Sequence, residues 1–253
     1  MPLQAVTSRG LVLFERPYRE KDRLVKIFTE QAGKRMFLVK NSGQSRLRSA
    51  LQPLSLADYL CKINPNGLSY LDDYRDLEPL HEVSQDIFKL AHATYAMDLA
   101  DHAIDDGEED PALFAFLTQI LQLMNQGVDE AVLLLIYETQ LLSRFGVSLD
   151  FSHCVFCHRS QQRFDFSFKY SGVLCPEHYL EDEKRLHADP NVLYLLAGFQ
   201  EISLERLQGI SLSAETKEKL REFMDAIYDN YVGIHLKSKK FLDGLSDWGE
   251  IMR

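Results

Sequence analysis

Three cysteines and a histidine constrain this chain more than any other feature. They fall as Cys154-Val-Phe-Cys157 and, after seventeen intervening residues, Cys175-Pro-Glu-His178. A two-residue gap lets a tight turn aim two ligand atoms at one point, and the span between the pairs suits a two-stranded ribbon that brings them together. The pattern is that of a zinc knuckle with Cys154, Cys157, Cys175 and His178 as ligands. Four protein ligands fill a tetrahedral shell and leave no position for a reactive water, so the expected Zn2+ is structural. His153 and His158 flank the first pair and are the alternative imidazoles; the paired spacing selects Cys175 and His178 instead.

The intervening residues agree with a ribbon. Phe164, Phe166 and Phe168 alternate with Asp165 and Ser167, the period of a half-buried strand, and Ser171-Gly172 offers a turn before Val173 and Leu174. The fourth cysteine, Cys61, has no spare partner, so the usage points to a reducing cytoplasm with metal-bound thiolates. No apolar stretch approaches a membrane span and the N-terminus lacks an apolar signal core; no membrane partner is expected.

Charge is unevenly distributed. Residues 1–62 hold twelve Lys and Arg against five Asp and Glu, a net of +7, which leaves −17 for the remainder of a chain whose total is −10. A basic segment of this kind is a candidate surface for a polyanion, and the acidic remainder repels misplaced nucleic acid. The same segment reads as strands. Ala5–Phe14, Arg23–Thr29, Arg35–Lys40, Leu51–Ile63 and Leu68–Tyr74 are separated by turn chemistry at 16–19, 31–34, 41–45 and 64–67. Five strands without a long helix predict a small closed barrel of the OB type, a fold whose open face takes single-stranded nucleic acid.

After Pro79 the period changes from two to 3.6. Ser84 is the expected N-cap of a helix with a Phe88, Ala91, Tyr95, Leu99 stripe, and Asp110-Pro111 opens another. Val128–Phe145 is apolar on nearly every side, a buried central helix stopped by Gly146; Ser213 begins a helix with core positions Leu220, Phe223, Met224, Ile227, Tyr228 and Tyr231. The reading is an α+β chain: an OB-fold barrel over 1–80, a helical domain over 81–150 and 181–253, and a zinc-binding insertion over 151–180.

No phosphate loop, nucleophile elbow or H-E-x-x-H helix is present, and the knuckle does not follow the zinc-deaminase order. A non-enzymatic role is therefore expected. The run Asp105–Asp110 lacks calcium-loop spacing and reads as a solvated loop. Two alternatives stand beside a non-enzymatic nucleic-acid-binding protein: a zinc-containing nucleic-acid-processing enzyme with scattered carboxylates, and an RNA-binding assembly factor.

Several segments together resemble the bacterial recombination mediator family RecO. They are Gly10-Leu-Val-Leu-Phe-Glu-Arg-Pro-Tyr18, Glu20-Lys-Asp-Arg-Leu-Val25, Ser45-Arg-Leu47, Leu51-Gln-Pro53, Tyr137-Glu-Thr-Gln-Leu-Leu142, the knuckle, and Leu236-Lys-Ser-Lys-Lys-Phe-Leu242, in collinear order over nearly the whole chain. The resemblance implies binding of single- and double-stranded DNA, annealing of complementary strands, cooperation with RecR, and loading of RecA onto strands coated by single-stranded DNA-binding protein, in the cytoplasm at the nucleoid. It also places a glycine, in the family, where this chain has Arg19, a change expected to alter the hairpin.

Annealing needs phosphates held and base edges left free. The candidate DNA-binding residues are Arg19, Lys21, Arg23, Lys26, Lys34, Arg35, Lys40, Arg46 and Arg48; roughly half should face the ligand, because strand positions alternate. Tyr18 and Phe37 are candidates for base stacking, against the commoner role of barrel core. The resemblance further implies that the acidic, aromatic-ended tail of single-stranded DNA-binding protein docks on the helical domain. Such a tail needs an apolar pocket with a cationic rim, and Leu236, Lys237, Lys239, Lys240 and Phe241 form the candidate cluster. The alternative for these lysines is a solvated helix end offsetting the dipole.

Overall fold

The alternation of apolar and polar residues over the first eighty positions closes a sheet. In the structure, a computed structural model that describes residues 3–65, 67–160, 163–207 and 209–251, β1 (Gln4–Tyr18), β2 (Asp22–Thr29), β3 (Gly33–Val39), β4 (Ser55–Ile63) and β5 (Ser69–Pro79) form a barrel in the order β1-β2-β3-β5-β4. All neighbours are antiparallel except β3 and β5, which meet through Phe37–Ser69 and Leu38–Tyr70. Val12, Val25, Ile27, Phe37, Ala57 and Tyr59 fill the interior. Phe37 is thus core, not a stacking platform.

Two strand boundaries differ from expectation for identifiable reasons. The pairing of β1 with β2 shifts register between Val12 and Phe14, and the bulge bends a strand that runs unbroken through the predicted turn to Tyr18. Leu51 does not open β4, because the loop before it closes into 3-10 helices at Ser42–Gln44 and Arg46–Ala50, with Ser45 capping Leu47 N at 3.1 Å. Arg19 lies at φ 64, the left-handed region that glycine enters freely, so the hairpin keeps a glycine-type turn with an arginine in it. The predicted turn at 64–67 includes Asn66, which lies outside the described residues.

Helices follow: α1 (His81–Gln85), α2 (Ile87–Ala103), α3 (Pro111–Asn125), α4 (Glu130–Leu141), then the ribbon β6 (Asp165–Ser167) and β7 (Gly172–Leu174), then α5 (Pro190–Glu201), α6 (Ala214–Ile227) and α7 (Lys237–Ile251). The cap of α2 is Asp86, whose carboxylate accepts from Phe88 N and Lys89 N. Ser84 instead lies inside α1, and Phe88 is exposed while Ala91, Tyr95 and Leu99 are buried. Asp110 caps α3 through Leu113 N, and Pro111 starts it.

Compactness divides the chain into Met1–Gly127 with Leu236–Arg253, and Val128–His235. The division expected above follows the change in secondary structure; by compactness, α1 to α3 and α7 group with the barrel. In this first unit the Phe114 ring meets Phe28 edge-on at 5.4 Å.

The second unit is built on α4, buried along nearly its whole length and continued by a 3-10 turn, Leu142–Phe145, to Gly146 at φ 74. Its buried carboxylate, Glu138, is 0% exposed and takes both arms of the Arg221 guanidinium at 2.5 and 2.9 Å. Ser213 caps α6, whose Leu220, Phe223, Met224, Ile227 and Tyr228 are buried. The helix then loosens into a π turn over Tyr228–Val232, and Tyr231 donates to Phe168 O at 3.4 Å.

Candidate metal centre and nucleic-acid interface

The knuckle sits in the second unit. Cys154 and Cys157 lie on a turn closed by His158 N donating to Cys154 O at 2.8 Å; Cys175 and His178 lie on a matching turn closed by His178 N to Cys175 O at 2.8 Å. Val155 N donates to Val173 O at 3.0 Å, which locks the first turn to β7. Gly172 allows this: a Cβ there would stand 2.5 Å from Val155 Cγ1. The four ligand atoms all lie within 4.8 Å of one another. Cys157 Sγ and Cys175 Sγ are 3.7 Å apart, and His178 Nδ1 is 3.6 Å from Cys154 Sγ and 3.2 Å from Cys175 Sγ. Metal–sulfur bonds of about 2.3 Å and metal–nitrogen bonds of about 2.0 Å in a tetrahedron put ligand atoms roughly 3.5 to 3.8 Å apart, so the set fits a four-coordinate ion. Burial alone would raise the Cys154 thiol; the N–H groups of Cys157, Cys175 and Phe156 outweigh it and bring the thiol down to about 6, favouring the ligating thiolate. Phe156 stacks on the His178 ring at 5.2 Å. The other histidines turn away: His153 pairs with Asp150 at 2.8 Å and His158 is exposed.

The knuckle is anchored through aromatic packing. Phe166 on β6 touches Phe151, Phe223 of α6 and Phe168 at centroid distances of 6.1, 5.3 and 5.2 Å.

In the first unit the barrel sorts the nine candidate cations into distinct places. Arg19, Lys21, Arg23 and Arg48 line one cleft of about 520 Å³ between the β1–β2 hairpin and the 41–52 loop, together with the carboxylates of Glu15, Glu20 and Asp22. Lys40 and Arg46 line another of about 380 Å³, with Lys62 and Tyr70. Tyr18 is half-buried beneath Arg19, whose guanidinium is 5.2 Å from its ring.

Lys26 and Lys34 line neither cleft and turn to Asp101 and Asp106 instead. Lys34 is 1% exposed; its ammonium bonds the Asp101 carbonyl and lies 3.0 Å from Asp101 Oδ1. Lys26 pairs with Asp101 at 2.6 Å and Asp106 at 2.9 Å. Neither ammonium is free to meet a phosphate. Arg35 is committed too, its Nε donating to Ala32 O at 2.8 Å and its guanidinium lying against Gly107. The acidic run is therefore not simply solvated: Gly107 N donates to Lys34 O at 2.8 Å, and Gly33, at φ 67, presses so closely on Glu108 that a Cβ would lie 2.1 Å from its carbonyl oxygen. Desolvation would lower both lysines. The Asp101 and Asp106 hydrogen bonds reverse this for Lys26, whereas burial prevails at Lys34, and the two lysines together hold Asp101 below the usual carboxylate range.

Residues 1–80 match the family model described as Recombination protein O N terminal, and residues 84–240 match Recombination protein O C terminal. The DNA repair protein RecO of Streptococcus gordonii strain Challis is 57% identical over 99% of this chain and 96% of its own length. The DNA repair protein RecO of Streptococcus sanguinis strain SK36 is 56% identical over 99% of this chain and 98% of its own. The chain belongs to the RecO family. The α+β architecture with an N-terminal OB-fold, a helical region and a Cys3His cluster follows the expectation drawn from sequence.

Within this RecO-family chain the C-terminal segment is rearranged relative to the sequence reading. Leu236 is buried and Lys239 pairs with Asp243 at 2.5 Å. Lys237, Lys240 and Phe241 are exposed, and Lys237 and Phe241 line an apolar groove of about 370 Å³ with Leu13, Phe14 and Met97. Sequence reasoning did not include Lys62 among the candidates although it contributed to the basic count, and it lines the same cleft as Lys40 and Arg46. Its place in strand β4 gave no hint that it would stand beside Lys40 and Arg46. No described helix is long and apolar enough to cross a membrane.

Proposed function

We propose that this chain is a DNA repair and recombination mediator that binds single- and double-stranded DNA on its barrel, anneals complementary strands and, with RecR, helps load RecA onto strands coated by single-stranded DNA-binding protein. The observation that carries the reading is the cleft holding Arg19, Lys21, Arg23 and Arg48 at one end of an OB barrel. Cations around a cleft meet phosphates without reading sequence, and each contact releases counterions. Zinc fits the knuckle by donor chemistry, three thiolates and one imidazole, with a structural role in this cytoplasmic, nucleoid-associated protein.

Replacing Arg19, Lys21, Arg23 and Arg48 together by Glu is expected to weaken DNA binding severely and to abolish annealing with the fold kept, because three are exposed and Arg23 pairs with Glu15 at 3.2 Å. Wild-type affinity for single strands should fall with salt with a log–log slope of roughly −3 if all four cations are engaged. Annealing by the reversed variant at the wild-type rate would move the DNA site off this cleft. The same assay run in EDTA and then in magnesium separates the rival readings. Metal-independent annealing supports a mediator, strand cleavage an enzyme, and tighter binding of RNA an assembly factor.

The groove beside Phe241 offers Leu13, Phe14 and Met97 to the tail's ring and Lys237 at its edge to the tail's carboxylates, with the exposed Lys240 on the same helix adding positive charge outside the groove against Asp98 and Asp101 within it. A fluorescent tail peptide is expected to bind with micromolar affinity, about −8 kcal/mol, and to weaken at least about tenfold when Lys237 and Lys240 become Ala, a loss of about 1.4 kcal/mol. Unchanged binding by that variant would exclude this groove.

A further inference from the structure

Arg46 and Arg48 stand two residues apart on one short 3-10 helix yet line different clefts. A 3-10 helix advances three residues per turn, so positions two apart project to different sides. The segment Asn41–Ala50 that carries them is a fixed wall. Its foot is stitched to the β1–β2 hairpin by Ser42 N donating to Lys21 O at 2.9 Å and Asn41 N to Asp22 Oδ1 at 3.1 Å. Its far end is held by Tyr59 OH donating to Ala50 O at 2.5 Å and by Ser49 with Tyr74 at 2.8 Å, while Leu47 and Ala50 are buried beneath it. On one side stand Arg19, Lys21, Arg23 and Arg48; on the other, Lys40, Arg46 and Lys62 beside Tyr70.

We propose that this wall is a partition between two nucleic-acid strands, one seated in each cleft, a reading that rests on the barrel being the DNA site. Annealing brings two phosphate chains together, and a single basic cleft holds one of them against the repulsion of the other. Cations on both flanks of one wall hold both. The major groove of a duplex is about 12 Å wide and admits a helix, so a wall of one short helix can lie between the two backbones of the forming duplex while the pairing edges meet beyond it. In the second cleft Arg46 pairs with Asp73 at 3.2 Å and Lys62 with Asp72 at 2.8 Å. Such exposed pairs are weak and exchange for phosphate at little cost.

The test uses a short labelled oligothymidine that cannot self-pair and cannot span both clefts, with strands per chain counted by native mass spectrometry at low salt. Wild type is expected to hold two strands, and the variants Arg19→Ala/Lys21→Ala/Arg48→Ala and Lys40→Ala/Arg46→Ala/Lys62→Ala one each. Annealing of longer complementary strands should slow at least about tenfold in both variants, a barrier change of about 1.4 kcal/mol, while each still binds a single strand. One strand per wild-type chain, lost in only one variant, overturns the partition and leaves the barrel reading standing. Two strands retained by both variants, or none bound by wild type, overturns the barrel reading and the partition with it.

Discussion

Replacing Cys157 by Ser is expected to strip the metal and to cost the second unit far more than one ligand's share. The ribbon β6–β7 is only three residues per strand and has no core of its own. What organises it is the convergence of Cys154, Cys157, Cys175 and His178 on one point. Binding free energy in such a site is folding free energy. The loss propagates because Phe166 is fully buried against Phe151 and Phe223, and because Leu186 N reaches back to Phe166 O at 2.8 Å. A ribbon released from its metal withdraws Phe166 from α6 and exposes the aromatic cluster. We expect a destabilisation of roughly 3 to 5 kcal/mol, a fall in melting temperature on the order of 10 °C, with reduced solubility. Elemental analysis of wild type should give one zinc per chain, and chelation should reproduce the variant's melting curve. Wild-type protein with far less than one zinc, or with unchanged stability after chelation, would refute the structural role.

The Cys3His cluster was readable from sequence because its geometry is local. A two-residue gap at each pair is itself the turn that aims the ligands, and the structure adds only the Val155–Val173 and Gly172 contacts that hold the turns together. The barrel was readable for a related reason, since period-two alternation and turn residues report on neighbours a few positions away. The basic surface was readable as a count and not as a surface. Lys26 and Lys34 have partners at Asp101 and Asp106, on and just beyond α2, and no local pattern predicts that an acidic loop will close over two strands of a barrel. The choice of Ser84 over Asp86 as a cap failed differently. Both residues have capping chemistry and only two positions separate them, so which helix each belongs to is settled by packing around the buried Val83. In the 42–50 loop, short 3-10 turns carry no periodicity that a strand reading could detect, and those turns decide which cleft Arg46 and Arg48 face.

Asp101→Ala is the substitution expected to cost the first unit most, and it separates structural lysines from candidate phosphate ligands. Its carboxylate serves Lys26 at 2.6 Å and Lys34 at 3.0 Å, both buried. Removing it leaves two ammonium groups sharing Asp106, which stands 2.9 Å from Lys26 and 3.9 Å from Lys34. An uncompensated buried charge typically costs about 3 to 5 kcal/mol, and the loop that grips Gly33 and Lys34 should loosen with it. Lys34→Glu should unfold the barrel for the same reason, whereas reversal of the cleft residues Arg19 and Arg48 should leave the melting temperature nearly unchanged. The pH dependence follows from the directions of the shifts. Asp101 is depressed in the folded state, so its contribution is present above its unfolded value of 3.8 and disappears as pH falls through the lower folded value. Lys26 is raised, so its contribution is present below 10.5 and is lost as pH rises through the higher folded value. Lys34 is lowered, so its charge costs stability until pH rises through its folded value, and its deprotonation then offsets the loss at Lys26. Wild type should therefore lose stability on the acid side through Asp101 and show a flatter alkaline side, and in Asp101→Ala the acid component should shrink. An Asp101→Ala variant as stable as wild type, with the same acid limb, would show that these lysines are not held by Asp101 and would return them to the set of candidate phosphate ligands.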